Sequence, residues 1–592
     1  MLTSTDTVPA MRMLARADAP SADRWLARLL GGLVALAVCL PFLGRGYVLV
    51  YDMVFVPRPV ADDHGLGLDG TVPKAVPADF LIGLFAHAIP AWVIQQICLV
   101  AIFWLAFTGA WRLSPARTIP GAAASASIFA WNAYLLERLG LGQWSLLIGY
   151  ALLPWALRAG LALRQDATRR NWAVVVTLLG IAAAAAPSAG VLVTLTVLGA
   201  VAVPDRACHG AWLSRLAAVL GAALLMNITW WLPGLLLPAG VADNPAGVGA
   251  FAARADTPLG GLLSLATFGG IWNQLVTGPS RDFWLSGGTT LCLVLLAGAG
   301  VGRVRVAWGP RALAGVAVAT AIGFAIAAGS LIDPGQDLLR WAVTEIPGGG
   351  LLRDAQKWIA GWALLVSACL GPGLERLTER LPDLSRHLVI AMVALLPVAS
   401  LPDLGGGLGG RLTGVWWPAD YTAAAHRVDA APAGDVLILP WHQYRAWRWN
   451  DDRTVLQPWD RMIARELVAR DDLELFDMIV AGEDPKAEAV GRVIAGGGNM
   501  TRGLRALGIR YVLIDRTSVG ASDAMVRAFH GWPTIYSGPN VTVQDIGPAP
   551  DIDRAGPART PVLVADAIAA LVWLLALAWS LFARARLVLR SR

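Results

Sequence analysis

The residues of this sequence with chemistry to offer are carboxylates and cations placed where a hydrophobic chain would not be expected to carry them. In GRGYVLVYDMVFVPRPVADDHG an apolar stretch ends on Asp52, flanked by Tyr51 and followed by Arg58, Asp62, Asp63 and His64. A carboxylate at the mouth of a lipid-facing segment is costly unless it is paired or has work to do. Asp52 is therefore either a working carboxylate or a loop residue, exposed or ion-paired with Arg45 or Arg58. Asp62 and Asp63 suit a hard divalent cation by ligand type, but neighbouring residues do not easily converge on one ion, so a solvated loop is the expectation and a metal the alternative.

Two further segments have the same character. In NAYLLERLGLGQWSLLIGYALLPWAL, Glu137 and Arg138, with Gln143 close by, occupy a connection so short that both charges must lie at the membrane surface or face a cavity. They form either a clamp between helices or part of a site. In EIPGGGLLRDAQKWIAGWALL, Arg353 and Lys357 are spaced one helical turn apart around Asp354, which would put both cations on one face as a grip for a phosphate. The alternative is snorkelling at a helix end, with Asp354 near the N-terminus. A fourth segment, LPWHQYRAWRWNDDR, offers Trp441, His442, Trp447 and Arg448, the side chains of sugar stacking and bidentate hydrogen bonding. It serves equally well as a contact surface between the domain and the membrane.

The elements that position these groups are mostly transmembrane helices. With 592 residues, 56% hydrophobic and only 15% charged, the chain has too few charges to cover a soluble globule. The net charge of +6 resides in short Arg clusters between apolar runs, which argues for membrane topology and against nucleic acid. Runs of bilayer-spanning length fall at 28–48, 90–111, 118–135, 144–163, 172–189, 189–204, 215–237, 288–302, 311–330, 357–372, 387–402 and 561–583. The Ala-rich stretch around 172–204 reads as a hairpin turning at Pro187-Ser188.

The clusters at Arg12, Arg16, Arg24 and Arg28, at Arg112 and Arg117, at Arg158, Arg164, Arg169 and Arg170, at Arg206 and Arg215, at Arg303, Arg305 and Arg311, at Arg376, Arg380 and Arg386, and in the tail to Arg592 mark every second connection. By the Lys/Arg bias of short loops, twelve spans with both termini cytoplasmic satisfy them all. The expected organisation is an N-terminal tail over 1–27, a membrane core over 28–402, a small extracytoplasmic α/β domain over 403–560, a last helix over 561–583 and a basic tail over 584–592. The long connections 49–89, 238–287, 331–356 and 403–560 then share the extracytoplasmic face of a plasma membrane. Trp111, Trp144, Trp172, Trp230 and Trp231 near span ends read as an interfacial belt. Four cysteines lie in apolar runs and Cys208 in a basic loop, so no disulfide framework or cysteine metal site is expected. There is no Walker sequence and no dinucleotide fingerprint, so a soluble nucleotide is not the expected ligand.

An Asp just after the first helix, many spans and a soluble domain near the C-terminus are similar to the GT-C superfamily of membrane glycosyltransferases that use polyprenyl-phosphate sugars. More narrowly, ERLGLGQWSLLIGYALLPWAL and GGGLLRDAQKW resemble the membrane region of the actinobacterial arabinofuranosyltransferases of cell-wall biogenesis. The resemblance implies a polytopic helical core with Asp52 as general base. It implies Arg353, Lys357 and Arg138 on the donor phosphate, and Glu137, Asp354, Arg58 and Gln143 in support. The implied partners are a polyprenyl-phosphate sugar (arabinofuranose or mannose), an envelope glycan or glycolipid acceptor and the bilayer, with no nucleic acid and no obligatory cofactor, a divalent cation being optional. A transporter or flippase of lipid-linked saccharide is the alternative, but it would call for charges within spans and an internal repeat, neither of which is evident. A non-catalytic scaffold of envelope assembly is the third reading.

Overall fold

The computed structural model describes residues 21–590 apart from 205–208, 239–243, 476–477, 497–498, 530 and 553. Arg12, Arg16, Arg206, Cys208 and Arg592 lie outside the described residues. Each expected span falls on helix, but not always on a helix able to cross a bilayer. Seven helices are long and apolar enough, among them Ala91–Leu113, Trp144–Gln165 and Pro310–Gly329; two bent pairs raise the number to nine among the described residues. This is a multi-pass membrane protein, and by length and apolarity its described helices account for seven to nine of the twelve expected spans.

Several of the expected runs are shorter or more broken than expected, for local reasons. The run expected over 118–135 is helical only from Ile119 to Ala130, 12 residues or about 18 Å at 1.5 Å per residue, because Trp131 and Asn132 turn extended before a second helix starts at Ala133. Thr118 caps the first piece by accepting from the Gly121 amide, and Asn132 caps the second by accepting from Leu135. At the expected hairpin, Ala186 is extended and Pro187 opens the next helix as a first-turn proline, giving Arg169–Ala185 and Pro187–Val201. The segments at 212–236 and 284–308 are bent by 68° and 52°. The first helix begins at Ser21, inside the expected tail, and the last runs from Arg559 to Arg590. Trp111, expected at the interface, is buried inside the bundle.

Before the last helix lies an α/β domain. Its five-stranded sheet is ordered Leu467–Val468, Asp435–Leu439, Ile509–Asp515, Val541–Asp545, Thr534–Ser537; the first three strands are parallel and the last two antiparallel to their neighbours. Strand residues alternate between faces. Leu437, Leu439, Val512 and Ile514 pack under the helices Pro485–Ala495 and Met500–Ala506. Val436, Ile438, Tyr511 and Leu513 face the other way, into the same hydrophobic core that continues through Trp417, Tyr421 and Phe55 to the membrane helices. The sheet domain is thus joined to the bundle by apolar packing, beside the charged loops.

Candidate functional site

Asp52 sits where the first loop meets the sheet domain. The loop is tied to the short hairpin Tyr444–Ala446/Thr454–Leu456 by its backbone: the Tyr51 amide donates to Thr454 O at 2.6 Å and Tyr51 O accepts from Leu456 at 2.9 Å. Tyr51 is held at φ +38°, in the left-handed region that a bulky residue adopts only under constraint. On the other side the Asp52 amide donates to Leu141 O at 3.2 Å. That contact needs Gly142, because a Cβ there would stand 2.3 Å from Val50 O and 2.4 Å from Met53 N.

Held this way, the Asp52 carboxylate accepts from the Tyr444 hydroxyl at 2.7 Å and from Gln143 Nε2 at 3.4 Å. Burial raises its pKa above the ordinary aspartate value; the hydrogen bonds from Tyr444 and Gln143 and the charge of Arg461 oppose the rise without cancelling it. The product is a carboxylate more basic than usual.

Gln143 joins Asp52 to a buried knot of charge. Its Oε1 accepts from Arg138 Nη1 at 2.7 Å. Arg138, fully buried on the helix Ala133–Gly140, grips Asp354 through both terminal nitrogens, with Nη2 to Oδ1 at 2.9 Å, and donates from Nε to Gln356 Oε1 at 2.9 Å. Gln356 in turn donates to Glu137 Oε2 at 3.2 Å and to Gly269 O at 3.1 Å. Beyond Glu137 lies Asp256, which Arg281 holds from Nε at 2.8 Å and Nη2 at 3.0 Å. Gly269 is required for this approach, since a Cβ would come within 2.1 Å of Asp256 Oδ2.

The charges balance if one carboxyl is neutral, and Glu137 is that one. Burial first, then the adjacent Asp256 carboxylate, push its pKa well above the usual range. Its Oε1 accepts no hydrogen bond, whereas a protonated Glu137 can donate one to Asp256. Asp354 and Asp256 remain ionised: burial opposes their charge, but Arg138 and Arg281 outweigh it and hold both pKa values low. Two cations, two anions and one neutral acid then occupy a water-poor site with their partners in place.

The expected phosphate grip has a different shape. Arg353 and Lys357 do not share an α-helical face, because the chain there is 3-10 over Gly349–Leu352 and Ala355–Ile359 with a non-helical break at Asp354. Arg353 reaches the sheet domain and pairs with Glu483 Oε1 at 2.6 Å. Lys357 is 8% exposed, and its ammonium lies 5.6 Å from the Trp358 ring centroid. Among the described residues no carboxylate or carbonyl hydrogen-bonds to it. Arg138 is engaged in the knot.

The other expected residues lie elsewhere. Arg58 donates to Asp429 and to Met462 O, both at 2.6 Å. Trp447 is fully buried, stacked on Trp449 and donating to Asp515 at 2.8 Å, so it presents no free ring face. Trp441 packs against the sheet helices, His442 lies beside Gly520, and Arg448 is exposed. Asp63 pairs with Arg559 at the start of the last helix, and Asp62 accepts from the Gly65 amide at 3.3 Å. No group of three or more potential metal ligands converges among the described residues. The sequence reading missed Tyr444, Gln356, Asp256 and Arg281. Tyr444 at least lay in a segment singled out for its aromatics, whereas Gln356, Asp256 and Arg281 carried no local signal.

No family model matches the sequence, and no curated protein matches it. Among solved structures, the cryo-EM structure of arabinofuranosyltransferase AftD from Mycobacteria aligns with a TM-score of 0.60 at 17% identity over 90% of this chain and 40% of that one. A mutant of the same mycobacterial protein aligns with a TM-score of 0.49 at 16% identity over 91% of this chain and 42% of that one. The chain thus spans about two-fifths of the length of the protein whose fold it shares.

Proposed function

We propose that the chain is a GT-C-type glycosyltransferase that moves a sugar, arabinofuranose or mannose, from a polyprenyl-phosphate donor to a cell-envelope glycan or glycolipid on the outer side of the membrane. The observation that carries this reading is the Asp52 carboxylate, made basic by burial and held by Tyr444 and Gln143 beside a buried, charge-balanced knot. The fold shared with an arabinofuranosyltransferase supports the same reading.

The chemistry follows from the residues. An acceptor hydroxyl gives its proton to an Asp52 oxygen while its own oxygen attacks the anomeric carbon. The bond from that carbon to the phosphate oxygen breaks, and the electron pair leaves with the polyprenyl phosphate. Attack opposite the leaving group inverts the anomeric centre. Lys357, an ammonium without a protein hydrogen-bond partner among the described residues, meets the charge that grows on the departing phosphate. Arg138 fixes Gln143 and hence the direction of Asp52; it is a positioning residue.

The test is transfer by the purified chain in lipid nanodiscs supplied with polyprenyl-phosphate arabinofuranose and a short arabinan acceptor. Lys357→Met is expected to lower transfer about 10- to 100-fold, the worth of one charge-assisted hydrogen bond to phosphate. Unchanged transfer would remove Lys357 from the donor site.

The pH dependence separates this reading from a structural role for the loop. Asp52 accepts a proton only when ionised, so transfer is lost as pH falls through its raised pKa, and the acid limb lies above that of an ordinary aspartate, roughly pH 4. Tyr444→Phe removes a donor that favours the ionised form, so the limb moves to higher pH. A limb that stays in place in the Tyr444→Phe variant would mean that another group sets it.

A further inference from the structure

Between the loop over 62–79 and the sheet domain lies a cavity of about 580 Å³, within the ~300–1,000 Å³ range of small-molecule sites. Its wall carries nine carboxylate side chains against five from Lys or Arg and one His. No Trp, Tyr or Phe lines it. Many of the carboxylates are matched with guanidinium groups, as Arg461 is with Asp460 and Asp79, and Arg554 with Glu466 and Asp484.

Two wall oxygens have acceptor capacity to spare. Asp79 Oδ2 lies 3.0 Å from Arg461 Nε and Glu483 Oε2 lies 3.1 Å from Lys74 Nζ, so each is paired with a cation and keeps lone-pair capacity for a further donor. The Glu483 side chain is 7% exposed, so little water competes for that capacity.

Part of the cavity wall adjoins the elements that hold Asp52. Gln443 and Leu456 line it, and they flank the Tyr444 side chain and the Tyr51 backbone clasp that hold that carboxylate. Arg461 lines it as well and is near enough for its charge to act on Asp52.

These features select a class of ligand. Carboxylates accept from hydroxyls while guanidinium groups donate to ring and hydroxyl oxygens, which is the pattern a vicinal diol needs. The excess of negative charge repels phosphate. The lack of aromatic rings removes the stacking platform that a flat ligand would use. We propose that this cavity is the acceptor subsite and holds the uncharged, hydroxyl-rich end of a glycan with its terminal hydroxyl toward Asp52. The assignment rests on the reading of Asp52 as the base.

The test measures binding of a neutral arabinofuranose oligosaccharide, and of the same oligosaccharide carrying a terminal phosphate ester, to the full chain in nanodiscs. The neutral probe is expected to bind, the phosphate ester at least tenfold more weakly. Asp79→Asn and Ala464→Trp are each expected to weaken the neutral probe tenfold or more. Ala464 lies on the wall and is exposed, so filling the cavity from there removes no internal contact and guards against misfolding in the Asp79 variant. Tighter binding of the phosphate ester, or unchanged affinity in Ala464→Trp, overturns the assignment. Asp52→Asn in the transfer assay keeps the two readings apart. If it abolishes transfer while Ala464→Trp leaves probe binding intact, the cavity assignment falls and the transferase reading stands. If the wall variants weaken the probe as expected while Asp52→Asn leaves transfer untouched, the cavity keeps its glycan and the base must be sought elsewhere.

Discussion

Asp52→Asn is expected to lower sugar transfer about a thousandfold, near the middle of the range for removing a general base, while the protein remains folded. The two halves of that expectation have separate physical grounds. Asparagine matches aspartate in shape, and its carbonyl oxygen still accepts from Tyr444, so the clasp between the first loop and the sheet domain survives. Burial already penalises the charge at this position, so losing it costs the fold little. What asparagine cannot do is take a proton from a hydroxyl. The measurement is the initial rate of transfer in nanodiscs together with the thermal unfolding midpoint. A residual rate within tenfold of wild type would rule out Asp52 as the proton acceptor, and a large drop in midpoint would mean that the residue is structural.

The largest effect on stability is expected at Arg138. Arg138→Met takes from the largely buried Asp354 the cation that grips it, leaving only the more distant charge of Lys357, and strips Gln143 and Gln356 of a donor. Breaking a buried pair in this way costs about 3–5 kcal/mol. Removing the second partner should recover much of the loss, because the orphaned charge goes with it. Arg138→Met combined with Asp354→Asn is therefore expected to be more stable than Arg138→Met alone, a coupling that a double-mutant cycle on denaturant unfolding in detergent reads directly. Strict additivity of the two substitutions would show that the pair acts independently. Because Gln143 aims Asp52, the double variant should still transfer poorly even where it folds well.

The sequence disclosed these residues unevenly, for physical reasons. Asp52, Glu137, Arg138, Asp354 and Lys357 were legible because a charge in apolar surroundings is expensive and so marks itself. Gln356 is neutral and left no such mark, though it joins Glu137 to Arg138. Asp256 and Arg281 lie in a long polar connection where charges are ordinary, and only folding brings them against Glu137. In LPWHQYRAWRW the aromatics suggested stacking on a ligand, but the side chains that stack on sugars are the same ones that fill a core. Trp447 does the latter, while Tyr444, three residues earlier on a short strand, turns to Asp52. Apolar runs located the helices well because length and hydrophobicity are local properties. Where those runs bend, as at Asn227 and Gly300, is decided by packing against neighbours that lie far away in sequence.

Tyr444 follows Asp52 by 392 residues. At ribosomal rates of about 5–20 residues per second, that separation corresponds to roughly 20–80 seconds of synthesis. Throughout that interval the helices around Arg138 can insert and pack, but the loop bearing Asp52 has neither the hydroxyl that orients its carboxylate nor the strand that fixes Tyr51. The Asp52 carboxylate thus gains its hydroxyl partner late, from a segment that must first fold against the loop. A chain cut short before residue 444 would be a helical bundle whose Asp52 is not yet seated, and under the proposed function it would be inert.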